Sequence, residues 1–249
     1  MGSIIQVDDL WKMFRIPHEK KTTLFENIAS IMQILDQRRM TYEEFWALKE
    51  ISFSVNSGES IGIIGPNGSG KSTLLKIMAN ILRADKGKIH MEGRVATIFG
   101  LGVGFHPDLT VKENILVYGS IMGLKNIEIK KRMDDILRFS GLERFLHANL
   151  KNLSSGMQMR LGFSTAIETR PDIFLIDEAL AVGDMEFRQK CLDKFKDFRA
   201  EKKTIVLVSH AMYLIEEFCE KTLYLTKGEI IDFGNTKEVI ARYKKTIQG

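Results

Sequence analysis

The stretch GIIGPNGSGKSTLL, Gly62 to Leu75, decides the fold. Within it Gly65 to Ser72 reads G-x-x-x-x-G-K-S, preceded by the apolar run SIGII and followed by apolar residues at helical spacing. A strand that breaks into glycines and restarts as a helix gives that spacing its chemical meaning. Glycines let backbone N–H groups point into the loop, and the positive end of the following helix favours an anion there. The loop of Gly65, Pro66, Asn67, Gly68, Ser69, Gly70, Lys71, Ser72 and Thr73 is therefore predicted to hold the phosphates of a nucleotide. Lys71 can reach the β- and γ-phosphates, and the Ser72 hydroxyl is suited to ligating Mg²⁺.

Outward from this loop, short apolar runs, SIGIIG, IFLID and TIVLVS, alternate with longer helical patterns. That alternation predicts an α/β fold with a mainly parallel sheet buried on both sides. The run IFLIDE ends in two adjacent carboxylates, Asp177 and Glu178. Beside a phosphate loop such a pair suits metal holding by Asp177, through water, and activation of the attacking water by Glu178. Between Phe105 and Glu168 strand signals give way to helix signals, and Thr110 with Glu113 reads as a capping box. The expected organisation is one domain over 1–249. Its nucleotide-binding core takes residues 1–104 and 169–249, and an inserted helical subdomain takes 105–168. A second insertion is expected over 17–46. There Leu24, Ile28, Ile31, Met32 and Leu35 recur at helical spacing and Arg38 and Arg39 follow, an amphipathic helix with a basic end. It reads equally as packing on its own core or as attachment to a membrane-side surface. After Gly228 one strand and one helix are expected, with no appended carbohydrate-binding domain.

Composition narrows the function classes. A chain of 249 residues with 44% hydrophobic and 27% charged residues can bury a sizeable core, and its two cysteines, Cys191 and Cys219, form no metal or redox spacing. No run approaches the roughly 18 to 20 uncharged apolar residues that a membrane span needs. MGSIIQVDDL does not have the form of a secretory signal. The expectation is a chain in a reducing compartment that neither spans a membrane nor is exported. A net charge of +4 does not single out nucleic acid as a partner, and none is expected.

Several motifs then arrive in a fixed order and resemble the ATP-binding subunits of ABC transporters over nearly the whole chain. LSSGMQMR, Leu153 to Arg160, resembles that family's signature motif, with Ser155 in place of a glycine and Met157 in place of a glutamine. Ser154, Ser155 and Gly156 would then meet the γ-phosphate, although Ser154 reads equally as a plain helix cap. ALAVGD places Asp184 at the D-loop position, and VSH places His210 at the switch-histidine position that contacts the γ-phosphate. Phe14 resembles the aromatic that stacks on adenine, with Trp11 close by; either could instead belong to the core.

The resemblance implies an ABC-type P-loop ATPase that binds ATP and Mg²⁺ and works as a head-to-tail homodimer. Each ATP would lie between the P-loop of one copy and the signature of the other. It also implies a separate multispanning membrane permease and a place on the cytoplasmic face of the membrane. FWALKEISFSVNSGESIGIIGPNGSGKSTLLK, LGVGFHPDLTVKENI and LIDEALAVGD resemble the branch that exports lipid-linked cell-envelope polymers. Wall teichoic acid is the expected cargo, with O-antigen or capsular polysaccharide the alternative and a non-transport ABC ATPase the rival class. In VATIFGLGVGF, Gly100 stands where most of the family carries a glutamine ligand to Mg²⁺. The alternating Gly100, Gly102 and Gly104 read either as a hinge to the helical region or as a tight crossing.

Overall fold

A computed structural model describes residues 2–18, 41–177 and 183–248. The strands are β1 (Ser3–His18), β2 (Thr41–Asn56), β3 (Ser60–Ile64), β4 (Lys86–Met91), β5 (Val95–Thr97), β6 (Ile173–Asp177), β7 (Thr204–Val208), β8 (Lys221–Thr226) and β9 (Glu229–Asn235). The helices are α1 (Lys71–Met78), α2 (Val111–Ile121), α3 (Asn126–Ser140), α4 (Ser155–Glu168), α5 (Met185–Ala200), α6 (Met212–Phe218) and α7 (Thr236–Gln248). The main sheet runs β5-β6-β7-β3-β8-β9. Its neighbours are parallel except for β8 and β9. Every residue of β3 and β7 is buried, as their unbroken apolar runs require of strands covered on both faces. The α/β reading holds.

A smaller antiparallel sheet, β2-β1-β4, covers one face. Ile5, Leu10 and Leu48 of this sheet bury Leu74 and Leu75 of α1 against β3 and β8. The opposite face is packed by α4 to α7, where Phe163, Phe174, Phe187, Phe195 and Phe198 form a run of touching rings. The region around α2 and α3 has its own core of Val111, Ile115, Ile129, Ile136 and Leu150. Helix α4 belongs to both, giving Leu161 to that helical core and Phe163 to the sheet-side core. Helix α2 opens with the expected capping box: Thr110 Oγ accepts from the Glu113 N–H at 3.2 Å, and Glu113 accepts from the Thr110 N–H at 2.8 Å.

The ends of the expected 17–46 insertion differ from the sequence reading. Strand β1 continues through His18 and β2 begins at Thr41, with Phe14 opposite Phe45, Arg15 opposite Glu44 and Ile16 opposite Glu43. Tyr42, Phe45 and Trp46 fit a helical i, i+3, i+4 spacing as well as a strand. Cross-strand pairing decides for the strand. The amphipathic helix expected over Leu24 to Arg39 lies outside the described residues. The three-stranded sheet itself went unread because β4, KGKIHM, is largely exposed and shows little apolar pattern.

Candidate functional site

The loop after β3 is shaped by close backbone approach. A Cβ on Gly65 would stand 2.0 Å from the Leu225 carbonyl oxygen. One on Gly70, where φ is +107°, would stand 2.5 Å from the Ala47 carbonyl oxygen. Gly70 caps α1 without any side-chain hydrogen bond, and the first turn carries no acidic residue. By contrast Thr110, Ser154 and Asp184 cap α2, α4 and α5 with their side chains. Among the described residues, then, neither a cap side chain nor a first-turn carboxylate occupies the amide end of α1, which suits an anion site. Lys71 is buried, and its Nζ donates to the carbonyls of Gly65 and Pro66 at 2.9 Å each. Among the described residues, Ser69 Oγ is buried with no hydrogen-bond partner. These features fit a polyphosphate, and the hydroxyl of Ser72 and the carboxylate of Asp177 are hard oxygen donors that fit Mg²⁺.

A cleft of about 280 Å³ opens over the loop, lined by Phe14, Phe45, Ala47, His210 and the backbone and side chains from Asn67 to Thr73. Phe14 and His210, far apart in sequence, therefore meet the phosphate loop in one place. His210 follows β7, while Asp177 ends β6 opposite Val208 of β7. Since β7 lies beside β3, the Asp177 carboxylate, the histidine and the glycine-rich loop all leave the sheet at the C-terminal ends of neighbouring parallel strands. Glu178 lies outside the described residues. Trp11 packs edge-on against Trp46 at 5.3 Å, with the Lys86 ammonium over both rings, so of the two aromatics Phe14 is the one in the cleft.

The signature residues do not line this cleft. Ser154 accepts from the Met157 N–H at 3.3 Å, the helix-cap geometry that the sequence allowed. Ser154 and Ser155 are nevertheless exposed, and beyond its own helix an added Cβ on Gly156 would meet no atom of the described residues within 4 Å. Asp184 is exposed too, caps α5 through the Phe187 N–H at 2.9 Å, and lies 3.8 Å from Arg160. The α4 and α5 ends are thus open on the surface, apart from the chain's own phosphate loop.

The glycine turn after β5 is wedged between helices. Gly100, Gly102 and Gly104 have φ of +60°, +83° and +93°. A Cβ on Gly104 would lie 2.4 Å from Ile121 of α2, and one on Gly162 of α4 would lie 3.1 Å from the Gly102 nitrogen. Burial pushes the Tyr118 hydroxyl up to about 12, against a hydrogen bond from the Gly102 backbone that favours ionisation. The turn is held, then, by backbone and ring contacts with no metal-ligating side chain of its own.

Sequence reasoning missed Phe45, Ala47 and Arg160. Phe45 and Ala47 alternate along β2, a period-2 signal crossed by the helical spacing of Tyr42, Phe45 and Trp46. Nothing in the sequence joins Arg160 to Asp184.

A family model described as ABC transporter matches residues 48–181, more than half of the chain. The O-antigen export system ATP-binding protein RfbB of Myxococcus xanthus is 43% identical over 201 residues, covering 81% of this chain and 46% of that protein. The teichoic acids export ATP-binding protein TagH of Listeria monocytogenes serotype 4b is 37% identical over 230 residues, covering 92% of this chain and 68% of that protein. The chain thus spans less than half the length of the Myxococcus relative. Among solved structures, the dimeric post-hydrolysis state of the ATP-binding cassette MJ0796 bound to ADP and Pi matches with a TM-score of 0.70 at 22% identity, covering 93% of this chain and 98% of that one. At that identity the likeness speaks for the fold alone.

Proposed function

This chain belongs to the ABC transporter family, and from that premise we propose that it is the ATP-hydrolysing subunit of an exporter of a lipid-linked cell-envelope polymer. The observation that carries the reading is the single cleft in which Phe14, the loop around Lys71 and His210 meet at the C-terminal ends of the parallel strands. Lys71 and the amides at the start of α1 hold the phosphates of ATP, and Phe14 takes the base. Ser72 and Asp177 would hold Mg²⁺, which when bound supplies charge neutralisation on the phosphate oxygens. Glu178 takes the proton of the attacking water, and His210 bonds the γ-phosphate. The exposed Ser154, Ser155 and Gly156 close over the ATP of a second copy, and Asp184 lies at the same contact. The site is completed in a homodimer.

Among the described residues no helix is long and apolar enough to cross a membrane. Export therefore calls on a separate multispanning permease, with this chain attached peripherally at the cytoplasmic face. Wall teichoic acid is the polymer we assign, supported by the match to the Listeria TagH, which runs over 92% of this chain. The 43% identity to RfbB over 81% of this chain keeps O-antigen or capsular polysaccharide as the second reading. Purification of the chain from source membranes tests the export reading. A multispanning membrane protein is expected to copurify; ATPase activity stimulated by DNA or ribosomes, with no membrane partner, contradicts it.

A further inference from the structure

The base end of the cleft carries one aromatic more than the motifs assign. Phe14 and Phe45 stand directly opposite each other on β1 and β2, and the register between these strands runs without a shift from Met13 to His18. Opposed residues of an antiparallel pair project from the same face. Both rings line the cleft, whereas Trp46, the next residue on β2, turns to the other face and meets Trp11. Ala47 returns to the cleft face.

The same strand fixes how far these rings stand from the phosphates. A Cβ on Gly70 would lie 2.5 Å from the Ala47 carbonyl oxygen, so β2 presses on the start of α1 two residues from Phe45. Phe14 is 37% exposed and Phe45 47% exposed, unusual for large aromatic rings beside a polar loop. A planar base bound there would cover apolar surface on both.

We propose that Phe45 is a second base-stacking residue, so that the base rests on two rings, one from each strand of the β1–β2 ribbon. This rests on the nucleotide reading above. The cleft surface contributed by β1 and β2 is Phe14, Phe45 and Ala47, none with a hydrogen-bonding side chain, so these strands hold the base by stacking and burial.

Titration calorimetry of the full chain with MgATP and, separately, with magnesium tripolyphosphate tests the proposal. Phe45→Ala is expected to weaken MgATP binding about tenfold, the usual scale of one base–ring stack, and to leave tripolyphosphate affinity unchanged. Phe45→Trp is expected to restore MgATP affinity. Unchanged MgATP affinity in Phe45→Ala overturns the proposal, as does an equal loss for both ligands, which would mark distortion of the loop. Failure of the unaltered chain to bind either ligand would instead overturn the nucleotide reading itself.

Discussion

Residue by residue, the proposed chemistry divides between groups that hold phosphate and groups that move a proton. Lys71 is buried at the loop, where its ammonium already bridges two backbone carbonyls. Glu178 follows Asp177 in the sequence, and the proposed function gives it the proton of the attacking water. Glu178→Gln keeps the size of the side chain and removes its basicity. It is expected to leave ATP affinity within a few-fold and to lower turnover by at least about 100-fold, the usual share of a general base. A phosphate-release assay on the purified chain checks this; turnover close to the unaltered rate removes Glu178 from that role. The loop residues were legible in the sequence because glycine and lysine at fixed spacing have few other uses. Phe45 was not, because its place beside the loop depends on the register of two strands whose pairing the sequence does not print.

At the scale of elements, the position of the signature is set by α4. This helix packs Leu161 into the helical core and Phe163 into the sheet-side core, and Phe163 contacts Phe139 of α3 and Phe187 and Phe195 of α5. The ring run continues from Phe195 to Phe174 of β6, so the helix bearing Ser154 is joined to the strand bearing Asp177 by touching aromatic side chains. Phe163 is fully buried, and Phe163→Ala is expected to cost about 3–5 kcal/mol of stability in urea unfolding. A loss below about 1 kcal/mol would show that these cores do not depend on that ring. The alternation of buried strands and helices was readable from short apolar runs, and α2 from its capping box. The β2-β1-β4 sheet was not readable. Its strands are bulged, with register shifts between Val7 and Leu10 and between Leu10 and Lys12, which break the period-2 pattern.

For the whole molecule, the decisive feature is a division of labour across two faces. The cleft side carries Phe14, Lys71 and His210, while Ser154 and Asp184 lie outside that cleft on exposed helix ends. In the proposed function such a chain completes its site only against a second copy, each giving a phosphate loop to one site and a signature to the other. Mixing two disabled variants measures this most directly. Lys71→Ala breaks the loop of its own chain, and Ser154→Arg breaks the signature it offers to a partner, so each alone has no intact site. In a mixed dimer one site regains both intact halves. With random pairing of equal amounts, the mixture is expected to recover up to about a quarter of the unaltered ATPase activity. A mixture as inactive as its two components, under conditions where the unaltered chain hydrolyses ATP and the two variants form mixed dimers, would contradict the shared site.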